Sequence, residues 1–412
     1  MNQSDFIKVL LVLSIPYIAT SLINNGFPAL LPFVREEFAL SRAQVGYYSS
    51  SFFLSAAVMA VFTGSVVDRL GPKRGLLFGV ACLGFMILMY GFSPSYPFLL
   101  VLALFAGLGF SIVTPSVNKG VMVETPPEKR AFSMGIMQSG IGVGGFAGAS
   151  LLPLLGESLG WRLTIQGAGL VVLIIGFTVY KLYRENTDSN DYGDAEKEPE
   201  SEPLSIKENM RFFLSSRQFL LTCLLGTVIA GSSMGAILSH FAVFLSEDLY
   251  LTPAAAGLGL GFFQIGGVVG RPVWGWFSDR FLRGDRAKTL SIIGVTGGLM
   301  FVISGFFGSL TAVPLLVYIF AFIFGFAAFG WGGVYFITIG EFAGENRTGG
   351  ATGLSLLFIR TGVLAVPPLF GAVADLSGDY SFSWVLFGTV IILFSIVYYL
   401  QISRYKKQMN LL

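Results

Sequence analysis

The chain has 412 residues, 54% of apolar types and 12% charged, and a mean hydropathy of +0.73. A soluble domain carries roughly 25% charged residues, so the composition excludes an ordinary water-soluble protein, a disordered chain and a collagen. The formal net charge of +2 is too small and too dispersed for a nucleic-acid binder, and two cysteines with one histidine leave too few ligands for a metal site or a Cys/His nucleophile.

A bilayer core takes about 20 apolar residues per helix. Twelve such runs are predicted, over 7–34, 44–67, 74–92, 97–123, 131–154, 162–183, 218–245, 254–277, 288–308, 312–340, 350–374 and 383–403. The turns between them hold Pro, Gly and charge, as in Ser93-Pro94-Ser95, Pro126-Pro127-Glu128 and Gly378-Asp379. The runs are too continuous for barrel strands, which alternate over about 10 residues. The first run is followed by no A-x-A-like cleavage site and reads as a retained helix. Cys82 and Cys223 fall inside apolar runs and read as reduced packing residues.

Lys and Arg placement sets the direction of insertion. With the N-terminus inside, the inner segments hold twenty of the 26 basic residues. The outer segments hold three, Arg35, Arg42 and Arg162, and the spans hold Lys119, Arg271 and Arg360. The bias predicts a multi-pass protein of the cell membrane (inner or plasma) with both termini cytoplasmic.

Residues 185–208 break the apolar pattern with nine acidic side chains, from Glu185 to Glu208. The segment reads as a solvated linker. The expected division is an N-terminal six-helix bundle over 1–184, an acidic cytoplasmic linker over 185–215 and a C-terminal six-helix bundle over 216–412. The halves repeat. Asp68 after span 2 and Asp279 after span 8 stand 211 residues apart, Glu124 and Glu341 stand 217 apart, and Gly135 and Gly353 stand 218 apart. Parallel repeats of this kind suit two pseudo-symmetric bundles with a central site. The expected fold class is therefore an all-α membrane protein of twelve transmembrane helices.

The segment Gly64-Ser-Val-Val-Asp68-Arg69-Leu-Gly71-Pro-Lys73-Arg74 resembles the signature loop of the major facilitator superfamily, and Gly275-Trp-Phe-Ser-Asp279-Arg280 is its degenerate second copy. The resemblance covers essentially the whole chain. It implies a gating role for Asp68, Arg69, Arg74, Asp279 and Arg280 at the cytoplasmic side. Read from position alone, Asp68 sits at a helix end, where it can meet bases or a helix N-terminus.

A charge near the bilayer centre costs at least about 2.5–3.5 kcal/mol on insertion scales. Arg271 lies eight residues before Asp279, about 12 Å along a helix. Arg360 lies thirteen residues after Arg347 and fifteen before Asp375, about 20 Å from either end. No Asp or Glu occupies the middle of a span, and Arg does not deprotonate. Water, backbone carbonyls freed near Gly270, Pro272, Gly362 and Pro367, or a bound anion must compensate. The repeat offsets carry Arg271 onto Ala60 and Arg360 onto Gly142. The fold therefore needs no base at these two places, and a planar fork suits a carboxylate.

Gly270-Arg271-Pro272-Val-Trp-Gly275 is similar to span 8 of the monocarboxylate and oxalate/formate transporter families, in which that Arg and a span 11 base bind carboxylate. The span 11 base there is typically Lys; here it is Arg360. The resemblance implies a site completed by polar residues of spans 1, 4 and 10, here Asn24 or Asn25, Asn118 and Tyr335. Each of these has an alternative role in helix packing. Lys119 reads as snorkelling or paired with Glu124, and His240 as structural or titratable. The animal carriers' Lys in span 1 and Asp beside the span 8 Arg are both missing. The Gly140–Gly148 run in span 5 lacks the Gly-Pro pair of the antiporter signature.

The expected activity is secondary transport of a small organic anion, a mono- or dicarboxylate, by proton symport or anion exchange. In that reading Arg271 and Arg360 hold the anion while the bundles rock. The expected protein is a monomer in the lipid bilayer and not an enzyme, with no cofactor and no nucleic-acid partner. The chain has no G-x-x-x-x-G-K-S/T loop for nucleotide. Two rival readings are an exporter of drugs or other hydrophobic compounds and a non-transporting membrane sensor for an anion.

Overall fold

The computed structural model describes residues 3–125, 127–183, 213–307, 314–343 and 348–409. The acidic linker expected over 185–215 falls almost entirely outside these residues. In a bilayer every backbone polar group must be paired internally, which leaves the helix as the local solution for long apolar runs. The described residues contain helices and no strand.

Span 1 is Gln3–Gly26, a 3-10 turn Phe27–Leu30 and a further helix Leu31–Phe38. It runs four residues beyond the predicted end and stops at Ala39, whose φ of 49° is left-handed. Spans 2 and 3 share one long helix, Arg42–Tyr90, broken at Gly71 with φ 75° and ψ 163°. Only glycine adopts that conformation without strain, so the Gly of the signature loop is explained by its turn. Spans 4, 5 and 6 are Tyr96–Glu124, Pro127–Leu159 and Trp161–Leu182.

Span 7 is Arg217–Ala230, a π-helical turn Gly231–Ile237, and Leu238–Glu247. Span 8 is Pro253–Phe281 and span 9 is Arg286–Gly305. Span 10 is broken into Pro314–Phe329 and Gly332–Ala343, and spans 11 and 12 are Thr348–Ser377 and Ser381–Met409. Among the described residues, eleven segments are long and apolar enough to cross a membrane. The remaining predicted span, 44–67, is the first part of the Arg42–Tyr90 helix.

Lipid tails are as apolar as the helices, so association rests on close packing of small residues. A Cβ on Gly144 would overlap the Ile18 carbonyl, and one on Gly148 the Leu22 carbonyl. The span 5 glycine run is thus a packing surface for span 1. Spans 9 and 12 meet in the same way, with the Gly298 and Gly388 backbones in contact.

Residue contacts divide the chain into two units, Met1–Leu40 with Ser51–Pro199 and Thr252–Gly261, and Ser41–Ser50 with Glu200–Leu251 and Phe262–Leu412. Each unit therefore includes a short strap from the other sequence half. In the first unit the Ala254 amide donates to Glu157 Oε1 at 2.9 Å, and a Cβ on Gly257 would strike Ala149 and Pro153. In the second unit the Arg42 and Ala43 amides donate to the two Asp375 oxygens at 2.8 and 2.9 Å, and a Cβ on Gly46 would lie 2.5 Å from the Pro367 carbonyl carbon. The offset of 211 residues carries Ala43 onto Ala254 and Gly46 onto Gly257, and the offset of 218 carries Glu157 onto Asp375 and Ala149 onto Pro367. Both straps are thus the same contact made twice, a carboxylate capping the exposed amides of a helix start. Ser50 adds a hydrogen bond to the Leu364 carbonyl at 2.5 Å, the group that Pro368 leaves without its helical donor.

Candidate functional site

The second unit carries both deep arginines. In span 8, Gly270 lets the helix approach the Phe326 carbonyl of span 10, and Trp274 Nε1 donates to the same carbonyl at 2.9 Å. Arg271, on the next position of the turn, lays its guanidinium 5.2 Å from the centre of the Phe329 ring. Phe329 is backed in turn by Phe263 at 5.6 Å. Arg271 is half-buried, and among the described residues no carboxylate pairs with it. A guanidinium over an aromatic ring still has N–H donors for another group, and those donors match a carboxylate.

Arg360 is likewise half-buried in the middle of span 11. Its neighbours on either side fix its direction. Thr227 of span 7 donates to the Phe358 carbonyl at 3.0 Å, and a Cβ on Gly362 would overlap the Thr227 carbonyl. Positions 358 and 362 share a helix face toward span 7. Two residues away from each, Arg360 leaves from the opposite side of span 11.

Tyr335 of span 10 is 1% exposed and fills the space left by Gly226, with Trp331 at 5.4 Å and Phe336 at 5.3 Å. Its hydroxyl is buried beside the Ser355 and Cys223 side chains. In the first unit Asn118 Oδ1 on span 4 is buried with no hydrogen-bond partner among the described residues, and the Tyr17 hydroxyl on span 1 is buried beside Thr114. Buried polar atoms are nearly always paired, so Asn118 Oδ1 has capacity left over, as do Ser93 Oγ, Ser150 Oγ and Trp384 Nε1. Tyr17 carries no signal in the sequence beyond being one aromatic among many. Asn24 is engaged with its own helix, donating to Asn25 Oδ1 at 3.4 Å, while Asn25 donates to Ser21 and Ser21 to the Ile141 carbonyl at 2.5 Å.

His240 is fully buried and tied on both ring nitrogens. Nε2 lies 2.8 Å from the Pro367 carbonyl, which only accepts, so that nitrogen carries the proton, and the Tyr380 hydroxyl donates to Nδ1 at 3.2 Å. The ring therefore staples spans 7, 11 and 12, which is the structural role left open by its place near a span end.

Of the signature-loop residues, the Asp68 side chain lies outside the described residues. Arg69 and Arg74 are exposed, and Lys73 rests over the Tyr180 ring at 4.9 Å. In the second copy Arg280 is exposed, and Asp279 pairs instead with Arg286 at 2.5 Å. Arg286 also reaches Glu341 Oε1 at 3.1 Å and the Ser278 hydroxyl at 3.0 Å. By sequence Arg286 was one of several inner-side bases. Its role as the hub appears only when residues 279 and 341 are brought to it.

The sequence profile of the Major Facilitator Superfamily matches residues 13–354 and 223–410. The chain belongs to the major facilitator superfamily. The hexuronate transporter of Bacillus subtilis is 22% identical over 412 residues, covering 96% of this chain and 94% of the relative. The gentisate transporter of Corynebacterium glutamicum is 25% identical, covering 87% of this chain and 79% of its own. The membrane sensor protein UhpC of Salmonella typhimurium is 24% identical, covering 86% and 82%. Among solved structures, a bacterial homolog of the human lysosomal transporter Spinster superposes with a TM-score of 0.82 at 17% identity over 98% of both chains. That likeness bears on the fold. The superfamily assignment agrees with the twelve-span, all-α reading of the sequence.

Proposed function

We propose that this chain is a secondary active transporter of small organic anions and that Arg271 is its principal carboxylate ligand. The observation that carries the reading is a half-buried guanidinium lying over the Phe329 ring with no carboxylate paired to it among the described residues. A cation held that way is compensated when an anion binds and is costly when none does. The names of two full-length relatives, a hexuronate and a gentisate carrier, are both of carboxylates and support the same class of cargo.

Arg360 is proposed as the second base. Asn24, Asn118 and Tyr335 are proposed as hydrogen-bonding contributors, with Tyr17 added to them for its buried hydroxyl on span 1. Within this reading the cargo is a mono- or dicarboxylate moved by proton symport or anion exchange, through a monomer in the cell membrane with cytoplasmic termini. Asp68, Arg69, Arg74, Asp279 and Arg280 are proposed as gating residues of the inner loops, and Arg286 joins them through its bonds to Asp279 and Glu341.

A second reading rests on one observation, that a relative of similar coverage is a membrane sensor. Proteoliposome uptake of labelled small carboxylates separates the two. Saturable flux that other carboxylates compete away supports transport. Saturable binding with no flux supports the sensor, and flux of lipophilic cations alone overturns both.

A further inference from the structure

Away from the deep arginines, the start of span 7 and the last turns of span 12 frame a cavity of about 290 Å³ in the second unit. Its polar lining is Arg217, Gln218, Gln401, Arg404 and Tyr405, and Leu221 and Ile402 supply its apolar part. The lining holds two permanent positive charges and no Asp or Glu. Arg217 is exposed, and its Nη2 donates to Gln401 Oε1 at 2.8 Å. That bond uses one of five guanidinium N–H donors and holds the fork in place. Arg404 stands across the cavity on an exposed position of span 12.

The vertical order of these residues adds to their charge. Arg217 and Arg404 lie at the ends of their spans, where the basic bias of the sequence puts the cytoplasmic interface. Tyr405 is of the type enriched at headgroup level. Leu221 lies one helical turn further into the membrane than Arg217 on the same face, and Ile402 lies inward of Tyr405. A ligand matched to this order carries a compact anion at the interface and an apolar portion below it.

We propose that this cavity binds a phosphate ester through Arg217 and Arg404, as presented by the headgroup of an anionic phospholipid of the cytoplasmic leaflet. The same two arginines would also take a soluble phosphate, so the two sources are separated by experiment. The site is independent of the cargo reading, because neither Arg271 nor Arg360 lines it.

The test is thermal unfolding of the full chain, purified and delipidated in detergent. It is titrated in parallel with phosphatidylglycerol, with phosphatidylcholine, and with inorganic phosphate or glycerol 3-phosphate. The expected result is a saturable rise in unfolding midpoint with phosphatidylglycerol and none with phosphatidylcholine, because ligand binding to the folded form alone raises apparent stability. Arg404→Gln, on an exposed side chain, shifts the half-maximal lipid concentration at least tenfold, and Arg217→Gln/Arg404→Gln removes the response. Lys288→Gln, an exposed base outside the cavity, leaves it unchanged. A rise with soluble phosphate that is lost in the same variants supports the phosphate site and assigns it to a soluble ester. A lipid response equal in wild type and Arg404→Gln, or no response to any arm, overturns the proposal.

Discussion

Replacing Arg271 with methionine separates its cost to the fold from its use to function. The side chain keeps its length and its contact with Phe329, since a thioether packs well on an aromatic ring, and loses the charge and the fork. A charge at a helix centre costs about 2.5–3.5 kcal/mol on insertion scales, and stacking on an aromatic face returns about 0.5–2 kcal/mol. With no carboxylate paired to Arg271 among the described residues, Arg271→Met gains about 0.5–3 kcal/mol of stability in the unliganded protein, net of those two effects. The same change removes charge-assisted hydrogen bonds to the cargo worth about 1.5–3 kcal/mol. At 1.4 kcal/mol per decade this weakens apparent affinity by roughly 10- to 100-fold. The assays are thermal unfolding in detergent and initial uptake rates in proteoliposomes, on the same preparation. The expected pair is a higher midpoint with uptake at sub-saturating substrate reduced roughly 10- to 100-fold. A lower midpoint would show that Arg271 is a structural residue compensated by its surroundings, and uptake within a few-fold of wild type would refute its role as the ligand.

Three further outcomes follow from contacts outside the deep arginines. His240→Leu removes the donor to the Pro367 carbonyl and the acceptor for Tyr380, and it lowers stability by about 1–3 kcal/mol while folded protein still transports; an inactive but equally stable variant would contradict the staple. Glu157→Ala and Asp375→Ala each cost about 0.5–2 kcal/mol as lost helix caps. The two caps share no partner, so the double variant should equal the sum of the singles within about 0.5 kcal/mol, and strong coupling in the unfolding free energies would show the straps are not independent. Arg286→Ala costs about 0.5–1 kcal/mol, because its partners Asp279 and Glu341 are 65% and 55% exposed and screened; its effect on the unfolding midpoint should shrink in high salt, and a salt-independent loss would point to packing instead.

Much of this molecule is legible from hydropathy because bilayer insertion is decided locally. Among the described residues each predicted run is helical. What stayed hidden depends on partners distant in sequence. The π-helical turn Gly231–Ile237 forms where span 7 meets the Gly362–Pro367 segment of span 11, and nothing in Gly-Ser-Ser-Met-Gly announces it. Span 1 runs on to Phe38 because charged Arg35, Glu36 and Glu37 still make helix beyond the apolar run; apolarity ends before helicity does. Glu37 is then held by Trp161 and Arg162 from 124 and 125 residues away. Deep charge made Arg271 and Arg360 conspicuous in sequence. Tyr17 was not, since the burial of a hydroxyl is a property of its surroundings and not of its residue type.

The central claim is that the protein recognises negative charge on a small organic molecule. It is tested most directly by titrating the purified wild-type chain, in one calorimetric experiment, with an acid that it transports and with the uncharged primary amide of that acid. The expected result is saturable binding of the acid and at least about 50-fold weaker binding of the amide, the loss expected from about 2.4 kcal/mol of charge-assisted hydrogen bonding. Equal affinity for the two would contradict it.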